Sequence, residues 1–193
     1  MITKPLLRHV VAVAGRRIDP EAAEVRRFPF ERVPSVEREL HRLFETTGVQ
    51  VLVTSAACGA DLLALKAAGE MRIPARIILP FSAARFKETS VMDRPRPAFW
   101  GRIFDKEIAA ARANGGLVEL AGGPESDGAY SAANAAIIKD ALSLASAEAY
   151  GAAKRPIAVI IWEGQARPGT DATNNFRQSA VAAGFDIRTI VTI

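Results

Sequence analysis

The chain has 193 residues, 49% hydrophobic and 24% charged, with a net charge of +4, a balance that fits one globular domain over 1–193 with a core of its own and argues against extended disorder. One cysteine, Cys58, excludes an intrachain disulfide, and His9 and His41 are too few and too far apart for a histidine-rich metal site. No apolar run reaches a membrane span and Met1–Arg8 lacks a signal-peptide core, so a cytoplasmic protein is expected; its mild, dispersed basic excess suits anionic ligands but not nucleic acid.

Short β-branched runs alternate with longer helical ones. Strands are expected at Val10–Ala14, Val49–Thr54, Ala75–Pro80, Leu117–Ala121, Ile157–Trp162 and Asp186–Val191, each nearly continuous in apolar residues, as strands buried on both faces are. Helices are expected between them. Val36–Thr46 places Val36, Leu40, Leu43 and Phe44 on one stripe and stops at Gly48. Asp61–Met71 is rich in alanine and leucine. Arg102–Asn114 ends at Gly115-Gly116, Tyr130–Ala149 has Gly151 beyond it, and Asp171–Ala183 closes with Gly184. This alternation implies right-handed crossovers and a three-layer, Rossmann-like, doubly wound α/β fold, a mostly parallel sheet with helices on both faces.

Two segments break the rhythm. Arg16–Pro34, with Pro20, Pro29 and Pro34, reads as an irregular excursion. Ser82–Trp100, with Pro95 and Pro97 and the aromatics Phe86, Phe99 and Trp100 following Phe81, reads either as a cover over a site or as a loop anchored by its aromatics.

In open parallel sheets, ligands sit outside the carboxyl ends of the strands, where helix N-termini aim backbone N–H groups at them. Three such ends carry small residues here: Ala14-Gly15-Arg16-Arg17, Thr54-Ser55-Ala56-Ala57-Cys58-Gly59-Ala60-Asp61, and Glu163-Gly164-Gln165-Ala166-Arg167-Pro168-Gly169-Thr170. Glycine permits close backbone approach, and arginine adds a bidentate contact to an anion. Neither G-x-G-x-x-G after the first strand nor G-x-x-x-x-G-K-[ST] anywhere is present, which disfavours an ordinary NAD-dependent dehydrogenase and a P-loop NTPase.

The succession VAVAGRR, VTSAACGADLLALKAA, IILPF and IAVIIWEGQARPGTDATNNF resembles the SLOG superfamily, the Smf/DprA–LOG group of Rossmann-like nucleotide-binding domains, over nearly the whole chain. FKETSVMDRP followed by IFDKEI is similar to bacterial members with a long loop after the third strand. The resemblance implies a site for a nucleotide or nucleotide derivative. Gly15 and Arg16 would line it from the first strand. Ser55, Ala56, Gly59 and Asp61 match an S-G-G-A-x-G-x-D-like turn, with Ala56 and Ala57 where glycines are common. Gly164, Arg167, Pro168, Gly169 and Thr170 lie in the segment matching the phosphate-binding turn, with one glycine beside the threonine. The resemblance also allows a homodimer.

LOG-type hydrolases place a glutamate on the ribose in a P-G-G-x-G-T-x-x-E pattern. Here Thr173 stands three beyond Thr170, with Asn174 and Asn175 after it, so no carboxylate is present at that place. The expectation is therefore a nucleotide- or ADP-ribose-like sensor domain, with no catalytic residue, cofactor or metal assigned. The alternatives are a nucleoside-monophosphate phosphoribohydrolase using another acid, Glu163 or Glu88, and DprA-like single-stranded DNA binding. Asp171 reads as an N-cap, and Asp61 as a cap for Leu62–Met71 ahead of a ribose contact. Cys58 reads as a buried thiol, at most one of Arg16 and Arg17 as facing ligand, and Tyr130 and Asn134 as one helical turn apart.

Overall fold

Successive side chains of a strand point to opposite faces. In β1 (His9–Gly15), Val11 and Val13 enter one core while Val10, Ala12 and Ala14 enter another. A computed structural model describes residues 9–121, 125–147 and 155–193. In it β1, β2 (Val49–Thr54), β3 (Ala75–Leu79), β4 (Leu117–Glu119), β5 (Ile157–Trp162) and β6 (Asp186–Val191) form one sheet in the order β4-β3-β2-β1-β5-β6. Every neighbouring pair is parallel.

Among the described residues six α-helices cover it: α1 (Val33–Thr47), α2 (Ala60–Glu70), α3 (Ala83–Ser90), α4 (Pro97–Ala113), α5 (Asp127–Ser146) and α6 (Ala172–Ala182). Side chains of α1 to α4 share a core with Val11, Val13, Leu52, Ile77 and Val159, and those of α5 and α6 share the other with Ala12, Val53, Ala158 and Ile160. This is the three-layer Rossmann-like architecture, with burial on both faces accounting for strands that read as unbroken apolar runs. Among the described residues no helix is long and apolar enough to cross a membrane.

The expected elements are present with shifted ends, and the shifts have causes. Pro97 and Pro34 were expected to interrupt structure, but each sits in the first turn of a helix, where a missing N–H costs nothing, so α4 begins five residues before Arg102 and α1 three before Val36. The segment 82–100 is consequently not one long loop: α3 occupies Ala83–Ser90, and Phe81, Phe86 and Trp100 are buried in the core beside Phe104. Its aromatics anchor it. The 16–34 excursion is irregular apart from a 3-10 turn at Phe30–Arg32 and the start of α1. The far end of the expected Tyr130–Ala149 helix, Gly151, and the Met1–Arg8 segment lie outside the described residues.

The chain winds from β1 out to β4 and then returns to place β5 on the other side of β1, so the winding direction reverses between β1 and β5. Gly15, the last residue of β1, lies at this reversal opposite Ile161. A Cβ there would meet the Ile161 carbonyl oxygen and lie 2.5 Å from the Ala60 Cβ. Lack of a side chain thus lets the start of α2 close against the β1–β5 ladder. Replacing Gly15 with alanine is expected to lower stability by about 1–3 kcal/mol through overpacking, read as a fall in the urea midpoint at unchanged slope.

Candidate functional site

Arg16 follows directly on β1, its N–H donating to the Ile161 carbonyl at 2.8 Å, and its side chain is almost wholly buried. A buried guanidinium needs both counter-charge and acceptors for its fork of donors, and the β5–α6 loop supplies them. Nε donates to Glu163 Oε2 at 2.7 Å and NH1 to Asp171 Oδ1 at 2.5 Å. NH2 donates to Glu163 Oε1 at 3.1 Å, to Asp171 Oδ2 at 3.0 Å and to the Gln165 carbonyl at 2.7 Å. The guanidinium groups of Arg16 and Arg177 both face the Trp162 ring, 5.6 and 5.8 Å from its centroid.

The second strand-end loop closes on the same residues. Gly59, at φ +101°, packs so tightly on the 16–18 backbone that a Cβ would lie 2.7 Å from the Arg16 carbonyl oxygen, which also accepts from the Ala60 N–H at 3.1 Å. The loops after β1, β2 and β5 therefore meet at Arg16. Several backbone amides at this rim are taken up within the protein. Cys58 N–H donates to the Ser90 carbonyl, Ala57 N–H to Asp61, and Arg167 and Asn174 N–H to Asp171. Asp171 is the N-cap of α6, as its sequence position implied.

The expected site residues divide into two sets. Gly15, Arg16, Ala56, Gly59 and Asp61 are built into the interior side of the rim, with Ala56 and Cys58 in the core and Ser55 half-buried. Gly164, Arg167, Pro168, Gly169 and Thr170 are all exposed, and both glycines adopt left-handed φ, +91° and +72°, with open space where a Cβ would stand. Asp61 does not cap α2 as expected: Gly59 holds the cap position, and the Asp61 carboxylate turns back to accept from Ala57 N–H at 3.2 Å. Asn134 donates to the Ala172 carbonyl, while the Tyr130 hydroxyl bonds Ser90 and donates to Glu125, so the two do not share a partner.

One arginine that the sequence did not single out joins these groups. Arg27, on the 16–34 excursion, pairs with Glu163, which makes Glu163 a buried partner of two guanidinium groups rather than a surface acid. Arg17 turns outward and pairs with Asp93. Nothing in linear spacing pointed to Arg27, because Glu163 lies 136 residues away. Arg16, Arg27, Glu163 and Asp171 together balance in charge, and Arg167 is a further cation beside them. Partial burial, then the positive fields of Arg16 and Arg27, lower its pKa.

Desolvation pushes Asp171 up, but the hydrogen bonds from Arg16, Arg167 N–H and Asn174 N–H outweigh it and hold the carboxyl at about 2. Asp61 is the opposite case. Desolvation dominates, the Ala57 N–H and the charge of Arg17 offset it only in part, and its pKa rises to about 7. Burial also pushes the Cys58 thiol up, against the influence of Arg17, which suits an inert thiol. Among the described residues no cluster of three or more His, Cys, Asp or Glu could hold a metal ion.

The two aspartates titrate with opposite sign. Asp171, depressed when folded, contributes stability present above its unfolded value near 4 and lost as pH falls towards 2; Asp171→Asn is expected to cost roughly 3–5 kcal/mol at pH 7, by leaving Arg16 under-compensated, and to flatten the acid limb of the stability curve. Asp61, raised when folded, costs stability that develops from about pH 4 and is complete above pH 7. Asp61→Asn is therefore expected to stabilise by on the order of 2 kcal/mol at pH 8 and to converge on the parent near pH 4, in urea melts across that range.

No family model matches this chain, and no curated protein matches it. Among solved structures it is similar to DNA processing protein A (DprA) from Streptococcus pneumoniae, with a TM-score of 0.53 and 18% identity over 95% of this chain and 50% of that one. The chain thus spans half the length of that protein. At this identity the likeness is one of fold, and it agrees with the six-stranded parallel sheet.

Proposed function

We propose that the chain is a SLOG-type domain that binds a nucleotide or nucleotide-derived small molecule at the carboxyl rim of its sheet, as a sensor rather than as a LOG-type hydrolase. The observation that carries the reading is the meeting of three strand-end loops at Arg16, with a further arginine, Arg167, on the exposed turn between Gly164 and Gly169. A rim at the winding reversal that carries an exposed arginine beyond the Arg16, Arg27, Glu163 and Asp171 cluster suits a phosphate-bearing ligand. Asp171 takes the amides of Arg167 and Asn174, so in this reading the arginine side chain adds to whatever the remaining loop amides offer the phosphate. The position of the LOG glutamate is taken by Thr173, which is buried. Glu163 is held ionised by its arginines, desolvation notwithstanding, and so is poorly suited to act as a general acid; Glu88 is exposed on α3.

Single-stranded DNA binding is the second reading, favoured by the fold shared with a DNA-processing protein. Calorimetry with AMP, ADP-ribose and an oligo-dT strand at physiological salt separates the two. Saturable binding of AMP or ADP-ribose is expected, weakened about tenfold or more by Arg167→Glu through loss of a charge-assisted contact. Failure of both nucleotides to bind at millimolar concentration would overturn the sensor reading, and oligo-dT binding that survives physiological salt would replace it.

A further inference from the structure

The two edges of the sheet are unlike. β4, at one edge, is three residues long and offers little to pair with. β6, at the other, runs in unbroken parallel register with β5, from Ile157 opposite Asp186 to Trp162 opposite Val191. Asp186 N–H donates to the Pro156 carbonyl at 3.0 Å and Thr192 N–H to the Trp162 carbonyl at 3.2 Å. In a parallel ladder only alternate residues face the neighbour, so Asp186, Arg188, Ile190 and Thr192 spend their backbone groups on β5. Ile187, Thr189 and Val191 therefore turn theirs away from the sheet. Of that outward row, the Ile187 carbonyl accepts from the Arg188 guanidinium at 3.2 Å, while Thr189 and Val191 are exposed.

An open edge of this length is a template for another strand, and proteins ordinarily blunt one with lysine, proline, a bulge or a covering segment. β6 has none of the first three. The excursion meets it at Thr192, whose hydroxyl donates to the Arg27 carbonyl, yet Val191 and Ile193 remain 47% and 55% exposed. The outward row is also self-complementary. Antiparallel pairing about a two-fold axis at Thr189 sets Ile187 opposite Val191 of a second copy, Thr189 opposite its own equivalent, and Val191 opposite the second Ile187. Each pair exchanges N–H and carbonyl groups, and apolar side chains meet apolar ones on the face that carries α5 and α6. No other register pairs these three residues among themselves. An axis at Arg188 would oppose two guanidinium groups, and one at Ile187 would call on Phe185 N–H, which already donates to the Ala180 carbonyl at 3.0 Å.

We propose that the β6 edge is a homodimer interface, at which two copies of this chain pair antiparallel about Thr189 and continue one sheet through both. The contact is isologous, the same row serving on each copy, so it closes at two chains and leaves no β6 edge open. Arg188 then stands opposite Ile190 of the second copy, on the face that carries α1, and releases the Ile187 carbonyl to the N–H of the second Val191. An extended peptide of unrelated sequence would gain the same backbone bonds but not the matched Ile187 and Val191 contacts at both ends, which is why the occupant is a second copy.

The test is sedimentation velocity on the 193-residue chain from about 5 to about 500 μM, across which the parent is expected to pass from monomer to dimer. Thr189→Pro removes an outward N–H and no bond to β5, since proline is tolerated on the open side of an edge strand, and should weaken association about tenfold or more. Val191→Lys should do the same by placing charge at the outer pairs, and its urea midpoint at about 5 μM should equal the parent's, showing the fold intact. Under mild oxidation Thr189→Cys should cross-link, because the paired Cα atoms would lie about 5.5 Å apart. Arg188→Cys, diagonal to its equivalent at about 7–8 Å, should not. A parent that stays monomeric at about 500 μM overturns the proposal, whether the edge then takes a strand of another protein or none. So does a dimer that Thr189→Pro and Val191→Lys both leave intact, or one that Arg188→Cys cross-links and Thr189→Cys does not.

Discussion

The geometry of the rim depends on one buried cation. Arg16 leaves β1 at the point where the winding of the sheet reverses, and its side chain turns towards β5 rather than towards solvent. Glu163 and Asp171 meet it with four carboxylate oxygens, and the Gln165 carbonyl takes a further donor. Removing a carboxylate would leave buried charge under-compensated, which costs more than the intact pairing stabilises. The β5–α6 loop is therefore held in one arrangement by electrostatics rather than by packing, since its residues from Gly164 to Thr170 are exposed.

That arrangement has a chemical consequence. Helix N-termini at the ends of parallel strands ordinarily leave N–H groups for an anion. Here Asp171 takes the amides of Arg167 and Asn174, and Asp61 takes that of Ala57. The two carboxylates do this in different electrostatic settings. Asp171 sits under a guanidinium and stays ionised far into acid, while Asp61 is desolvated with only distant help from Arg17. Arg167 itself stands on the solvent side of these groups.

The excursion between β1 and α1 is tied to the rest of the molecule at a few defined places. Ile18 and Phe28 bury its neck, Phe30 packs edge-on against Phe99 and Trp100, and Arg27 and Thr192 join it to the β5–β6 side. The aromatics of the 82–100 segment complete that packing from below: Trp100 donates its indole N–H to the Pro95 carbonyl, and Arg96 stacks over Phe30. The two stretches that broke the strand–helix rhythm are thus packed against each other, which is why neither reads as a regular element in isolation.

How much was legible follows from the range of the forces involved. The six strands and the helices between them were readable because apolar runs and helical stripes are local patterns, and their burial on two faces implied a parallel sheet covered on both sides. Asp171 as a cap was readable for the same reason, since a cap bonds its own helix. The beginnings of α1 and α4 were not, because a proline reads alike as a breaker and as a first-turn residue until the flanking chain is placed. The amino-acid sequence by itself determined the layered α/β architecture and which loops reach the carboxyl rim. Only the tertiary structure decided that Arg16 turns inward, that Asp61 turns back to Ala57, and that Arg27 joins Glu163 across 136 residues. Charges find their partners through space once the sheet is formed, and no spacing along the chain encodes that meeting.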